Sequence, residues 1–261
     1  MNPPYFHYKA FGLVFRSYIR HPELPEISGD ADPDCLIQFG KVPRKLERPE
    51  SEGVAFSSAS GKFLLRIEHV GRYLVEDGRQ ITIEKTPGAT DREIIVFLWA
   101  SAMAALLHQR GVAIIHGSAI HTQQGAVIFS GPSGSGKTTT AAAFAVKNKE
   151  MVITDDISAI ALDQHGKPVV LPGYPLMKFW RDSSDKIGFQ WDENNLIRED
   201  VRKMLVSVSD RFMETPAPLR QIYLLSYKNG EHPEINELTG VKKMELVMGK
   251  VFRKNYLKSN Q

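Results

Sequence analysis

Hydrophobic and polar residues follow two different patterns along the chain, and the pattern changes near residue 90. Before that point, β-branched and aromatic runs such as CLIQFGKV and GKFLLRIEHV alternate with Gly, Pro and Asp, which is typical of strands. Asp77-Gly78, within GRYLVEDGRQITIEK, is a strong β-hairpin signal. The segment TPGATDRE, from Thr86 to Glu93, then interrupts the pattern. The sequence therefore predicts a small β-rich N-terminal domain over 1–90 and a second domain over 91–261.

The second region alternates between helical and strand patterns. We expect a buried helix from Arg92 to Gln109, strands in VAIIHGSAI and AVIFS, a helix over Lys137–Val146 and a strand in MVITDD. ISAIALDQHGKPVVLP predicts a hairpin that turns at Gln164–Gly166. PLRQIYLLSY predicts a later strand, and LTGVKKMELVMGKVFRKNYL predicts an amphipathic C-terminal helix.

The lengths of the connections narrow the choice of fold. VAIIHGSAI and AVIFS are joined only by the turn HTQQG, which is too short for a crossover, so these strands should be antiparallel. AVIFS and MVITDD are joined through a helix, so they should be parallel with a right-handed connection. The expected fold class is α/β (α+β) with a mixed sheet, in which an antiparallel hairpin leads into a glycine-rich loop.

Composition excludes several classes of protein. The chain has 261 residues, and its 33 Lys and Arg against 30 Asp and Glu give a net charge of +3 without a long basic block, so we expect no nucleic-acid partner. A single cysteine, Cys35, excludes an intrachain disulfide framework and fits a reducing compartment. The longest apolar run, IIVFLWASAMAALL, is too short to span a bilayer, and no signal peptide is recognisable. We therefore expect a cytoplasmic protein without a membrane partner.

The clearest chemical signal is GPSGSGKT, from Gly131 to Thr138, which matches the phosphate-loop pattern G-x-x-x-x-G-K-[ST] in full. Such a loop turns backbone N–H groups toward phosphate oxygens, Lys137 reaches the β- and γ-phosphates, and the Thr138 hydroxyl binds Mg²⁺. A flexible Gly/Ser turn, the plainer alternative, would not explain the flanking strand and alanine-rich helix. The predicted nucleotide-binding residues are Gly131, Ser133, Gly134, Ser135, Gly136, Lys137, Thr138 and Thr139.

Two further groups lie on the flanking strands. Asp155 and Asp156 end the strand that follows the loop helix, where one carboxylate could serve Mg²⁺ and the other could accept a proton. The alternative is an ordinary pair of turn residues. His116, beside Gly117, lies on the strand that precedes AVIFS, and a lone histidine in a strand is more often a packed residue than a catalytic one.

In this order, the segments HGSAI, GPSGSGKT and ITDDI resemble the kinase domain of HPr kinase/phosphorylase, whose fold is related to that of phosphoenolpyruvate carboxykinase. The whole chain is most similar to the short HPr-kinase-like proteins of lasso-peptide systems, which phosphorylate the C-terminal serine of a ribosomal precursor peptide. The resemblance implies ATP and Mg²⁺ as cofactors. It implies that Asp155 is the base, with His116 beside it and Lys137 on the phosphates, and that Thr138 and Asp156 bind the metal.

The chain departs from this family in two places. Thr138 is followed by Thr139, where the family usually has Glu, and the Gly-Arg-rich segment that accompanies phosphorolysis has no match. The resemblance therefore supports kinase activity and leaves the reverse phosphorylase activity open. Lys178, Arg181 and Arg198, downstream of the acid pair, are candidate cations for the terminal carboxylate of a peptide acceptor.

Other functions stay open at this stage. HPr itself, or a small hydroxylated metabolite, could be the acceptor in place of a precursor peptide. In a different class, the chain could be a nucleotide-dependent switch that hydrolyses ATP slowly. The sequence does not decide whether the protein forms a homo-oligomer.

Overall fold

The computed structural model describes residues 4–28, 32–190, 192–197, 203–227 and 234–252. The protein is a mixed α/β structure in which strands outnumber helices. Its N-terminal part is an eight-stranded sheet with the strand order β1-β2-β3-β8-β7-β6-β5-β4. These strands are β1 (Phe6–Ala10), β2 (Leu13–Ser17), β3 (Cys35–Phe39), β4 (Ser51–Glu52), β5 (Phe56–Ala59), β6 (Lys62–Ile67), β7 (Gly71–Glu76) and β8 (Gln80–Lys85).

The hairpin predicted at Asp77-Gly78 is confirmed. Strands β7 and β8 pair in an antiparallel manner, with Glu76 opposite Gln80. Asp77 and Gly78 have φ values of 50° and 63°, a left-handed conformation that aspartate and especially glycine adopt at low cost. The sheet as a whole is mixed, because β3 runs parallel to both β2 and β8.

A buried helical segment follows the sheet and confirms the helix predicted over 92–109. It consists of α1 (Asp91–Phe97), one π-helical turn (Leu98–Ala102) and α2 (Met103–Gln109). The segment begins at Thr90 because a capping box satisfies its first N–H groups, with the Thr90 side chain accepting from the Glu93 backbone and the Glu93 side chain accepting from that of Thr90. Its apolar residues pack into the largest core.

That core is continuous across residue 90. It contains Phe15 and Ile83 of the first sheet, Leu98 of the helical segment, and Ile114 and Ile157 of the second half of the chain, each fully buried. The helical segment therefore packs against both parts. The domain boundary near residue 90 stays a prediction.

The second half contains strands that surround the long β9. They are β9 (Ala113–Thr122), β10 (Gly125–Ser130), β11 (Met151–Thr154), β12 (Ile157–Leu162), β13 (Pro168–Val170), β14 (Leu176–Trp180), β15 (Lys203–Ser207) and β16 (Ala217–Leu224). Pairing runs from β9 to β10, β16, β13 and β12 and returns to β9, which closes a ring of five strands. Strand β11 pairs with β9 outside this ring, and β14 and β15 form a separate two-stranded ribbon.

The predicted strand directions are confirmed, and the handedness of the β10–β11 connection stays a prediction. β9 and β10 are antiparallel, with Thr122 opposite Gly125, and β12 and β13 form the hairpin predicted from the turn at 164–166. β10 and β11 run in the same direction, as expected. They are not adjacent, because both pair in an antiparallel manner with β9, which lies between them.

Three α-helices lie in the described part of the second half: α3 (Lys137–Lys147), α4 (Arg181–Ile187) and α5 (Gly240–Met248). The long C-terminal helix predicted from LTGVKKMELVMGKVFRKNYL is wrong in extent, since the helix ends at Met248. Lys250–Phe252 instead lies against β9, where the Phe252 N–H donates to the Ile114 carbonyl. This stretch of β9 lies beyond the residues that β10 pairs with, so the C-terminal segment supplies the missing partner. The rest of the predicted helix lies outside the described residues.

The protein's helices are short. Over the part of the chain that the structure describes, none has both the length and the apolar character needed to cross a membrane.

Candidate functional site

The glycine-rich loop connects the end of β10 to the start of α3, as its sequence predicts. Gly136 precedes the helix in a left-handed conformation with φ of 88°, and no side chain caps the helix N-terminus. The first N–H groups of α3 therefore have no intrahelical partner and face the loop, where the helix dipole favours an anion. Gly131 must be glycine because an added Cβ would lie 2.6 Å from the Leu225 carbonyl oxygen.

Lys137 lies inside the loop that it belongs to. Its Nζ donates to the carbonyl oxygens of Gly131 at 3.1 Å and Pro132 at 2.9 Å, and only 9% of the residue is exposed. Burial lowers the pKa of Lys137, and the carboxylates of Asp156 and Asp155 partly offset this effect. The loop therefore holds the Lys137 ammonium group close to where a phosphate bound by the backbone N–H groups would lie.

Ser135 supplies an independent indication of a ligand. Its Oγ is buried and has no hydrogen-bond partner among the described residues. A buried hydroxyl without a partner costs about 1–3 kcal/mol, so such groups in a native protein call for an explanation. Phosphate oxygens within the loop would satisfy it.

Asp155 lies directly after β11 and contacts the loop helix. Its Oδ1 accepts from the Thr138 hydroxyl at 2.9 Å and from the Ser118 hydroxyl at 2.5 Å. Its Oδ2 accepts from the Lys178 backbone N–H at 3.2 Å. Burial raises the pKa of Asp155, and the nearby charge of Asp156 raises it further, while the hydroxyl donors and Lys178 oppose the rise.

Asp156 occupies a tight turn between β11 and β12. Its φ of 66° is left-handed, and the turn is closed by the Ile157 N–H, which donates to the Asp155 carbonyl at 2.8 Å. The Lys178 Nζ lies 2.5 Å from its Oδ2. Burial alone would raise the pKa of Asp156, but the ion pair and hydrogen bond with Lys178 outweigh it and lower the pKa. The turn directs the two carboxylates to one side of the sheet end, where Lys178 contacts both.

His116 lies on β9 opposite Ile157, next to this turn. Its Nδ1 is 3.1 Å from the Asp156 carbonyl oxygen. A carbonyl only accepts, so Nδ1 carries a proton in this contact. The ring also stacks on Phe252 of the C-terminal segment, with a centroid distance of 5.0 Å. The structure thus brings together His116, the acid pair and the loop, as the sequence predicts.

Lys203 is a further cation near the acid pair. Lys178 and Trp180 lie on one face of the β14–β15 ribbon, and Lys203 of β15 pairs with Trp180 on the same face. The Lys203 Nζ lies 5.0 Å from the Trp180 ring centroid. Lys203 has no acidic partner among the described residues, and its charge affects the pKa of both Lys137 and Asp156. Arg181 begins α4 directly after β14. Arg198, the third predicted cation, lies outside the described residues.

Two of these residues were not singled out from the sequence. Ser118 lies two residues after His116, so the alternation of a strand places both on one face, and that spacing was the available signal. Lys203 had no signal, because its strand pairs with Lys178 and Trp180 only in the folded ribbon.

The donor set fits Mg²⁺. Thr138 and the acid pair offer hydroxyl and carboxylate oxygens, the ligands that this hard cation prefers, and Mg²⁺ typically takes one or two protein ligands plus substrate phosphates. The described residues contain no cluster of three or more His, Cys, Asp or Glu side chains arranged to hold a metal by themselves.

Comparison with known proteins assigns nothing to this site. No protein-family model matches the chain, and no curated protein matches its sequence. The geometry of the loop and the acid pair is therefore the basis for assigning a function.

Proposed function

We propose that this protein is an ATP- and Mg²⁺-dependent kinase that transfers the γ-phosphoryl group to a serine hydroxyl. The observation that carries the proposal is the hydrogen bond from Thr138 to Asp155, which joins the phosphate loop to the acid pair at 2.9 Å. The resemblance to the HPr kinase/phosphorylase family supports the same fold and activity. We infer an HPr-kinase-like domain on this basis.

The residues divide the work of phosphoryl transfer. The loop N–H groups and Lys137 bind the phosphates, and Mg²⁺ supplies further neutralisation of phosphate charge. As the acceptor oxygen bonds to the γ-phosphorus, the bond from phosphorus to the β,γ-bridging oxygen breaks and ADP leaves. The serine proton passes to Asp155. Catalysis of this kind depends mainly on positioning and charge stabilisation.

The pKa shifts favour Asp155 as the base and Asp156 as the metal ligand. A base with a raised pKa is better matched to a proton from a hydroxyl, while Asp156, with a lowered pKa, stays ionised for Mg²⁺. One observation favours the reverse division, because Thr138, the expected metal ligand, contacts Asp155 and not Asp156.

Two variants decide which aspartate is the base and which is the metal ligand. If Asp155 is the base, Asp155→Asn should bind nucleotide with a normal Mg²⁺ dependence but lose turnover, since an amide does not accept the proton. Asp156→Asn should instead require more Mg²⁺ for half-maximal activity. Metal titrations of turnover and of nucleotide binding measure both effects. Exchanged phenotypes would reverse the assignment, and normal behaviour of either variant would remove that residue from the mechanism.

For the acceptor, we propose a peptide with its serine at the C-terminus, as in lasso-type precursor peptides. This step rests on the resemblance, supported by the charge of Lys203 beside the site, which has no acidic partner in the part of the chain that the structure describes. Lys178 is less suited to hold the terminal carboxylate, because it is paired with Asp156.

The test is the mass shift of candidate peptides incubated with ATP and Mg²⁺. A peptide that ends in serine should gain one phosphate, and the same peptide with an amide cap should lose most of its kcat/KM. Equal modification of both would exclude recognition of the terminus. Modification of folded HPr or of a small metabolite alone would name that acceptor instead, and ATP consumption that no acceptor accelerates would indicate a nucleotide switch.

A further inference from the structure

Tyr227 combines a fixed hydroxyl with an exposed ring. Its OH donates to the Gly134 carbonyl oxygen in the middle of the phosphate loop, at 2.8 Å. The residue is nevertheless 82% exposed, so the ring faces solvent beside the loop. An aromatic ring held in one place by its polar end offers a flat surface at little further cost in side-chain entropy.

The strand pairing explains why Tyr227 lies there. β16 runs parallel to β10, so the carboxyl ends of both strands meet at one edge of the sheet, where ligands of α/β proteins bind. The pairing continues into the loop, since the Leu225 N–H donates to the Ser130 carbonyl at 2.7 Å. The Leu225 carbonyl packs against Gly131, where it leaves no room for a Cβ. The segment 225–227 therefore follows the loop from its start to Gly134.

The other side of the loop, next to β9, carries the residues proposed to act in phosphoryl transfer. β10 has β9 on one side and β16 on the other. His116 and Ser118 lie on β9, and the strands on either side of the acid pair, β11 and β12, both pair with β9. A nucleotide whose γ-phosphate faces the acid pair can extend its nucleoside away from β9, toward β16 and Tyr227.

We propose that Tyr227 stacks against the nucleobase of the nucleoside triphosphate and so forms the nucleoside half of the binding site. This inference rests on the proposed function, because it takes the loop to bind the phosphates of a nucleotide. Stacking uses only the flat face of a base, which every nucleobase has. Tyr227 thus contributes affinity for the nucleoside without choosing between adenine and guanine.

The experiment compares two ligands that share the phosphates and differ in the nucleoside. Calorimetry with the full chain and Mg²⁺ would measure the binding of ATP and of inorganic tripolyphosphate. Tyr227→Ala should weaken ATP binding by about tenfold or more, within the range for loss of a base–aromatic stack, and leave tripolyphosphate binding within about twofold. GTP should lose as much as ATP. Tyr227→Phe, which keeps the ring, should stay much closer to the original ATP affinity.

Controls separate this inference from the proposed function. Tyr5→Ala removes an exposed tyrosine that lies just before β1 and should change neither affinity. Equal loss of ATP and tripolyphosphate binding in Tyr227→Ala would show that the residue only shapes the loop, and unchanged affinity for both would show that it does not contact the ligand. Either result overturns the stacking proposal and leaves the kinase proposal standing. Failure of the unaltered protein to bind either ligand would overturn both.

Discussion

At the scale of single residues, Asp155 is the most constrained side chain of the site. Two hydroxyls donate to one of its oxygens and a backbone N–H donates to the other, so its orientation is fixed by β9, by α3 and by the ribbon at once. Asp156, one residue later, is held by an ion pair. Neighbouring carboxylates thus acquire opposite pKa shifts from different partners, which is how a site separates two roles between identical groups.

Replacing the loop lysine tests the phosphate site directly. Lys137→Ala should lower the rate of phosphoryl transfer roughly a thousandfold or more, because the transition state loses its nearest cation. The fold should survive, since the hydrogen bonds of the lysine amino group among the described residues go to two loop carbonyls. Lys147→Ala, at the exposed end of the same helix, is the matched control and should keep full activity. A rate within tenfold of the original in Lys137→Ala would contradict the assignment.

Ser118 is expected to act through Asp155. Removing its hydroxyl donor in Ser118→Ala takes away a contact that lowers the pKa of Asp155, so the pKa should rise further above the ordinary carboxyl range. If Asp155 is the base, it works only when deprotonated, so activity is lost as pH falls through this pKa. The acid limb of the pH–rate profile should then move to higher pH. Ser158→Ala removes another buried hydroxyl, bonded to the Gly117 carbonyl, and should leave the profile in place. An unmoved profile in Ser118→Ala would limit Ser118 to a structural part.

At the scale of elements, the sequence predicted those helices, strands and turns that depend on local residue patterns. The β7–β8 hairpin, the helix after Thr90, the β9–β10 turn and the phosphate loop each depend on nearby residues, and each forms where expected. The C-terminal helix was extended too far, because Lys250–Phe252 pairs with β9, more than a hundred residues earlier. The β14–β15 ribbon was missed for the same reason, as were the positions of Lys203 and Tyr227 around the site. Contacts between distant residues leave no periodic signal.

The start of the helical segment depends on one cap. Thr90→Ala should destabilise the protein by about 1 kcal/mol, since the Glu93 backbone N–H loses its acceptor and the capping box is broken. Urea unfolding measures the change, and Thr90→Ser, which keeps a capping hydroxyl, should retain most of the stability. Equal losses in both variants would show that the methyl group matters and the cap does not.

At the scale of the whole molecule, a buried polar cluster joins the two halves. His21 follows β2 and is 1% exposed, and it accepts from the Trp99 indole N–H at 3.2 Å through Nδ1. Trp99 belongs to the π-helical turn and stacks on Tyr174 of the second half, with centroids 4.8 Å apart. Tyr174 in turn donates to Glu23. The first sheet, the helical segment and the entry to the ribbon therefore share one set of contacts.

This cluster makes stability depend on pH. Burial lowers the pKa of His21 to about 3, whereas the unfolded chain takes up a proton near 6.5. The free energy of unfolding should therefore fall below pH 6.5 by up to about 1.4 kcal/mol per pH unit, with the loss ending near pH 3.

Denaturant unfolding at pH 7 and pH 5 measures this slope. His21→Gln removes the titrating group and should flatten the slope between these pH values, even if it lowers stability at pH 7. His165→Gln, at the exposed turn between β12 and β13, should retain the original slope. An unchanged slope in His21→Gln would show that another group titrates.

The continuous core also bears on how such a chain can diversify. A recombination event that replaced residues 1–90 would introduce a surface that did not evolve to pack against Trp99, Leu98 and their neighbours. Apolar side chains of the helical segment would then lose their packing partners. The eight-stranded N-terminal sheet should therefore be inherited together with the loop and the acid pair. A substitution on one side of this core requires a compensating substitution on the other. Core residues of the two halves should therefore change together among descendants.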